Sequence, residues 1–199
     1  MDESSLKDHD TLMAQEPDVK RLQDAYALLR TDPPRALVEL EELANRGSVV
    51  SMLYLGETYA KEPYVDRIKS EKWYKSAYHG GSATGLFALG ALYYREGKYA
   101  EAEKTFADGV AKSDPVSMYW LASVYVVDAR HRGKSTEIRT LLEKSATLGH
   151  IRAKHDLSLF LMKGRYGKRD VLKGIWLYIT NLIDAFKVSY RDPTSWRLW

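Results

Sequence analysis

Apolar positions along this chain fall in a block that returns four times. Ser51-Met-Leu-Tyr-Leu-Gly-Glu-Thr-Tyr59 comes back as Gly85-Leu-Phe-Ala-Leu-Gly-Ala-Leu-Tyr93 and as Ser117-Met-Tyr-Trp-Leu-Ala-Ser-Val-Tyr125. A looser copy runs from Ala153 to Leu161. In the second block Leu86, Leu89, Leu92 and Tyr93 are spaced to share one helical face. The blocks start at 51, 85, 117 and 153, steps of 34, 32 and 36 residues. A near-constant step of this size marks stacked helical pairs. A small residue recurs in register at Gly56, Gly90, Ala122 and Ser158. Mid-helix glycine costs up to ~1 kcal/mol relative to alanine, so its recurrence predicts close approach of a neighbouring helix.

A second register precedes the first. Small or medium residues stand at Ala36, Ser70, Ala102, Ile138 and Gly174, with large ones four later at Leu40, Tyr74, Phe106, Leu142 and Tyr178. The two registers advance together, so each repeat holds two helices. Between them come Gly47, Gly81, Ser113 and Gly149, then Ser48, Ser82, Asp114 and His150. Glycine suits the left-handed residue after a helix, and serine or aspartate then caps the next one. Pro115 and Pro33 fit first turns. Helices are predicted over 18–30, 34–46, 49–61, 69–80, 83–95, 99–112, 115–129, 136–148, 151–163 and 171–188. Residues 1–16 read as a flexible N-terminal tail, 17–188 as the repeat solenoid, and 189–199 as a C-terminal capping or interaction tail. The apolar residues Phe186, Tyr190, Trp196, Leu198 and Trp199 suit a segment that covers an open solenoid end, bridges two chains or docks on a partner.

These residues resemble Sel1-like repeats, relatives of tetratricopeptide repeats. The connection Gly164-Arg-Tyr-Gly167-Lys-Arg-Asp170-Val-Leu-Lys173 carries the family's pattern, and Asp66 with Lys69 echoes it. Trp73-Tyr-Lys-Ser-Ala77 is similar to the aromatic-rich second helix. The connection from Tyr93 to Ala102 has the shorter tetratricopeptide spacing. The resemblance covers about residues 35–185. It implies an all-α, right-handed α/α solenoid whose concave face, made by the first helix of each pair, holds a peptide, loop or helix of another protein. Carried over from tetratricopeptide geometry, the groove positions are Leu53, Glu57, Ala60 and Lys61, then Phe87, Ala91, Tyr94 and Arg95. The third set is Tyr119, Ser123, Val126 and Val127, and the fourth is His155, Leu159, Met162 and Lys163. Tyr94 and Tyr119 are the expected anchors.

Composition and charge sharpen this picture only in places. Of the 199 residues, 45% are hydrophobic and 29% charged, as in an ordinary globular chain. With no cysteine there is no disulfide, thiolate nucleophile or zinc–thiolate site. The disulfide-bearing Sel1 branch linked to β-lactams is thereby disfavoured. No run approaches ~20 apolar residues, so no membrane span is predicted, and the acidic start predicts no signal peptide and a cytoplasmic protein. Charge is polarised: residues 1–66 carry net −7 and residues 128–173 net +7. Arg130, Arg132 and Lys134 in one loop and Arg165, Lys168 and Arg169 in another form a candidate basic patch, with Tyr166 available for stacking. It would suit an acidic protein or, as an alternative, a nucleic acid or other anion.

Catalytic signals are weak. No histidine pair has i, i+4 spacing, so a helical zinc pair is absent, and no metal or cofactor is expected. Gly80-Gly-Ser-Ala-Thr-Gly85 lacks the lysine of a phosphate loop and occupies the inter-helix turn. Glu41, Glu42, Glu101 and Glu103 read as solvated helix carboxylates. The expectation is a non-enzymatic scaffold or adaptor, with an enzyme the last alternative. Trp196 and Trp199 mark the tail as a further contact element, including a homodimer contact.

Overall fold

The computed structural model describes residues 7–164 and 169–191. These form helices α1 (His9–Ala14), α2 (Val19–Leu28), α3 (Pro33–Asn45), α4 (Val49–Tyr59), α5 (Arg67–His79) and α6 (Ala83–Arg95) in one compact unit, Met1–Glu96. Helices α7 (Tyr99–Ala111), α8 (Pro115–Val127), α9 (Ser135–Thr147), α10 (Ile151–Lys163) and α11 (Val171–Arg191) belong to the second, Gly97–Trp199. No strand is formed among the described residues; Lys7 and Ser82 make one isolated bridge.

Helix boundaries follow the turn chemistry. Ser48, Ser82, Asp114 and His150 each accept from the backbone N–H three residues on, at 3.0, 3.0, 2.7 and 3.1 Å. Each bond satisfies one of the orphan donors of a helix start. The residue before each cap is left-handed, from φ 98° at Gly47 to 60° at Ser113. Asp32 and Asp66 cap α3 and α5 in the same way.

Small residues of the two registers meet where paired helices cross. The Ser70 hydroxyl donates to the Gly56 carbonyl at 2.9 Å. In the second unit, a Cβ on Gly174 would lie 2.8 Å from the Ser158 carbonyl oxygen. Ala122 and Ile138, another pair at the same register, share one core cluster. Around these crossings Leu40, Leu55, Val50 and Ala77 fill the first unit and Leu142, Leu157 and Leu161 the second.

Residues 7–16 correct the sequence reading of a flexible tail, while residues 1–6 lie outside the described residues. Far from forming a tail throughout, residues 7–16 dock on the first unit. Lys7 N–H donates to the Gly81 carbonyl (2.7 Å), and Ala83 N–H donates to that of Lys7 (3.0 Å). Asp8 caps α1 through Thr11 N–H, and the Ser48 hydroxyl donates to Glu16 at 2.8 Å. Leu12 is 4% exposed and joins the core with Leu22 and Leu53. Leu12, Met13 and Ala14 are consecutive on a six-residue helix, too short a run to show a helical period. Leu12→Ala should cost about 2 kcal/mol of stability, the low end for a core truncation. Urea unfolding measures it, and a loss under about 0.5 kcal/mol would restore the tail reading for this segment.

The acidic cluster on α3 also differs from a solvated face. Arg21 on α2 donates to Glu39 at 2.8 and 2.6 Å and is ion-paired with Glu42, while the Tyr59 hydroxyl donates to Glu41 at 3.1 Å.

Candidate interaction surface

In the second unit α8 ends at Asp128, whose backbone is extended (φ −78°, ψ 115°) and whose side chain is buried. Asp128 accepts from Arg130 N–H at 2.9 Å and from its Nε at 2.7 Å, which folds the guanidinium back onto the turn Ala129–His131. These bonds from Arg130 hold the Asp128 carboxyl below the usual carboxylate range. His131 is gripped from three sides. Its Nε2 lies 3.0 Å from Glu103 Oε2 on α7 and 3.7 Å from Asp128, and its ring centre is 4.5 Å from that of Tyr125. Lys134 sits 4.2 Å above the other aromatic partner in this corner, Tyr125, and 3.2 Å from Glu137.

This loop borders an open cavity of about 300 Å³ lined by Tyr125, Val126, Val127, Arg132, Lys134 and Ile138, among others. Val126 and Val127 are exposed at its wall. Val126 and Val127 of the third groove set and Arg132 and Lys134 of the first basic loop, which the sequence suggests separately, therefore line the same cavity. Asp128, His131 and Tyr125 line it too, and Glu103 holds His131, an arrangement that sequence reading misses. Glu103 and His131 are far apart in the chain, and only the aspartate directly after a helix, two residues before an arginine, hints at the side-chain turn.

The remaining predicted positions are placed as follows. Leu53 is 7% exposed and belongs to the core cluster of the first unit, so its assignment to a groove is corrected. Glu57 near the end of α4 pairs with Lys61, two residues beyond the helix. Phe87 and Tyr94 are half-buried on α6, and Arg95 is exposed, its Nε donating to Ala91 O at 3.3 Å. Tyr119 is no free anchor either. Its ring lies 4.8 Å from His150 and its hydroxyl donates to Asp156 at 3.1 Å. Burial pushes its phenol up to about 12. His155 Nδ1 is 3.1 Å from Asp156 and its ring 5.9 Å from Tyr178 on α11. Lys163 is exposed at the end of α10.

The six-residue basic patch is not one array of outward cations. Arg130 and Lys134 are turned onto carboxylates. Arg169 donates from Nε to the Met162 carbonyl at 2.9 Å, closing the end of α10. Arg165, Lys168, Trp196 and Trp199 lie outside the described residues. Among the described residues, no group of three or more His, Asp or Glu side chains could hold a metal ion. No described helix is long and apolar enough to cross a membrane.

Helices paired at this step, capped at the same register and crossing at small residues define an all-α helix-pair repeat protein of the α/α solenoid class. More particularly, the fold is that of Sel1-like repeat proteins. The chain is similar to a Sel1 repeat protein from Oxalobacter formigenes, with 21% identity, a TM-score of 0.65, and coverage of 82% of this chain and 69% of that one. It is also similar to c5321, a protective antigen of uropathogenic Escherichia coli strains displaying an SLR fold (20% identity, TM-score 0.66, 93% of this chain covered). The chain spans 44% of the length of that antigen. MamA matches at 19% identity and TM-score 0.54, over 78% of this chain and 90% of its own. No family model and no curated protein sequence matches the chain.

Proposed function

We propose that this chain is a non-enzymatic scaffold that holds a segment of another protein, and that in the second unit the contact is centred on Val126, Val127 and the adjoining cavity. The observation that carries this reading is an exposed aliphatic pair beside a cavity whose rim carries the exposed Arg132. An apolar centre with a basic rim suits a peptide or helix that presents one or two apolar side chains flanked by carboxylates. The net +7 of residues 128–173 would speed its encounter. Nucleic-acid binding is less well served, because Arg130 and Lys134 are already engaged by acids and cannot follow a phosphate backbone without leaving them. The likeness to repeat proteins supports the scaffold class and brings no partner with it.

The test compares the full chain with Val126→Glu/Val127→Glu as bait. Both residues are exposed, so helicity and melting temperature should be unchanged. Proteins retained by the wild type should bind the variant about thirtyfold more weakly, a loss of about 2 kcal/mol. Equal retention by a folded variant would remove the cavity from the binding surface.

A further inference from the structure

Helix α11 is the longest in the chain, at 21 residues, and it is apolar on two sides. Gly174 and Asn181 are buried on its inner side, and a Cβ on Gly174 would lie 2.6 Å from Met162 on α10. Asp184 is held by Lys154 at 2.7 Å. The opposite side carries Leu172, Ile175, Trp176, Ile179, Leu182, Ile183, Phe186 and Tyr190, exposed by between 43% for Ile175 and 84% for Tyr190. No charged residue interrupts this stripe.

Three properties of the stripe identify what covers it. Its area is on the order of 1,000 Å², beyond the roughly 300–600 Å² of the largest patch on a typical monomer. It also exceeds the ~800 Å² that each partner contributes to a standard interface. Its spine, Leu172, Trp176, Ile179, Ile183, Phe186 and Tyr190, steps by 4, 3, 4, 3 and 4 residues. That averages to the heptad spacing that keeps a seam facing another helix. Finally, the step pattern reads the same in both directions about residue 181. A two-fold axis there would set Leu172 against Tyr190, Trp176 against Phe186, and Ile179 against Ile183 of a second copy. The bulky pairs stand at the ends and the branched pair at the centre, and Lys187 can lay its aliphatic stem over Ile175 of the other copy. A parallel arrangement would instead stack Trp176 on Trp176 and Tyr190 on Tyr190, alternating with narrower layers.

We infer that α11 is the homodimerisation element of this protein, pairing antiparallel with α11 of a second copy about a two-fold axis near Asn181. The contact is isologous and closes on itself. It is independent of the cavity proposed above, which lies on α8 and the following loop.

Sedimentation equilibrium of the full chain at high micromolar concentration should give twice the 22.8 kDa chain mass. Trp176→Glu/Ile183→Glu alters only exposed side chains and should give the single mass with unchanged helicity. A monomeric wild type, or a variant that remains dimeric, would overturn the inference. So would loss of the dimer on truncation after Arg191, which would transfer the contact to residues 192–199. A monomer that co-sediments with phosphatidylserine-containing vesicles would make the stripe a membrane-surface face instead. If the glutamate variant fails to fold, cysteine cross-linking decides, since the chain has no cysteine of its own. Leu172→Cys mixed with Tyr190→Cys should form an intermolecular disulfide, whereas Leu172→Cys alone should not, its two copies being about 27 Å apart along the pair. Efficient self-linking through position 172 would rule out the antiparallel arrangement.

Discussion

Acidification from pH 6.5 to 4 should cost the fold about 3 kcal/mol through a single side chain, His150. His150 is fully buried and caps α10 with its Nδ1, which accepts from Ala153 N–H at 3.1 Å. A protonated imidazole could not accept that bond. Burial, reinforced by the Arg152 charge and opposed by Asp156, pushes its pKa down to about 4. The unfolded chain binds this proton at about 6.5, so it is the unfolded state that gains as the pH falls. The contribution is complete above pH 6.5, declines through the interval, and is spent below 4. Carboxylates also weaken the protein in acid; Asp8 and Asp128 are held below their ordinary range by hydrogen bonds from Thr11 and Arg130. The diagnostic is therefore a difference. His150→Ser installs the cap found at Ser48 and Ser82, so urea unfolding between pH 7 and 4.5 should show a shallower loss for the variant. Parallel pH profiles would mean that His150 does not titrate with folding.

Gly56→Leu should destabilise the protein by about 3 kcal/mol, and even Gly56→Ala should reverse the usual gain from replacing a helical glycine. A Cβ at this position would lie 2.6 Å from Cδ1 and 2.7 Å from Cε1 of Tyr74. That ring is 7% exposed and has nowhere to go. The neighbouring Ser70–Gly56 bond would be strained by the same displacement. A double-mutant cycle with Tyr74→Leu separates the causes: the smaller side chain should return part of the Gly56→Ala penalty as a coupling energy. Additive losses would place the cost elsewhere than in this helix crossing.

Much of the architecture is legible in the residues because each repeat states it again. The caps at 48, 82, 114 and 150 and the small residues at 56 and 70 are local or strictly periodic features, and the helices begin and end near them. What escapes is non-periodic. Residues 7–16 dock through Leu12 and Met13, backbone bonds of Lys7 and the Ser48–Glu16 bond, none of which a pattern announces. The site at the end of α8 depends on Glu103 meeting His131 across 28 positions and on Asp128 folding Arg130 inward. Groove positions carried by analogy fare unevenly for a physical reason. Leu53 is part of the core of the first unit, and Tyr119 is engaged by His150 and Asp156, whereas Val126 and Val127 remain exposed.

The bridge between Lys7 and Ser82 has a kinetic side. Repeat folds are built from short-range contacts and assemble quickly, but this pairing closes a loop of 75 positions around α1 to α5. Its closure entropy must be met after the local helix pairs have formed. It should thus be absent from the folding transition state and present in the native one. Interactions of that kind slow unfolding and leave folding almost untouched. A chain beginning at Pro17 should therefore fold at nearly the same rate and open faster, the N-terminal segment acting as a latch on the first unit.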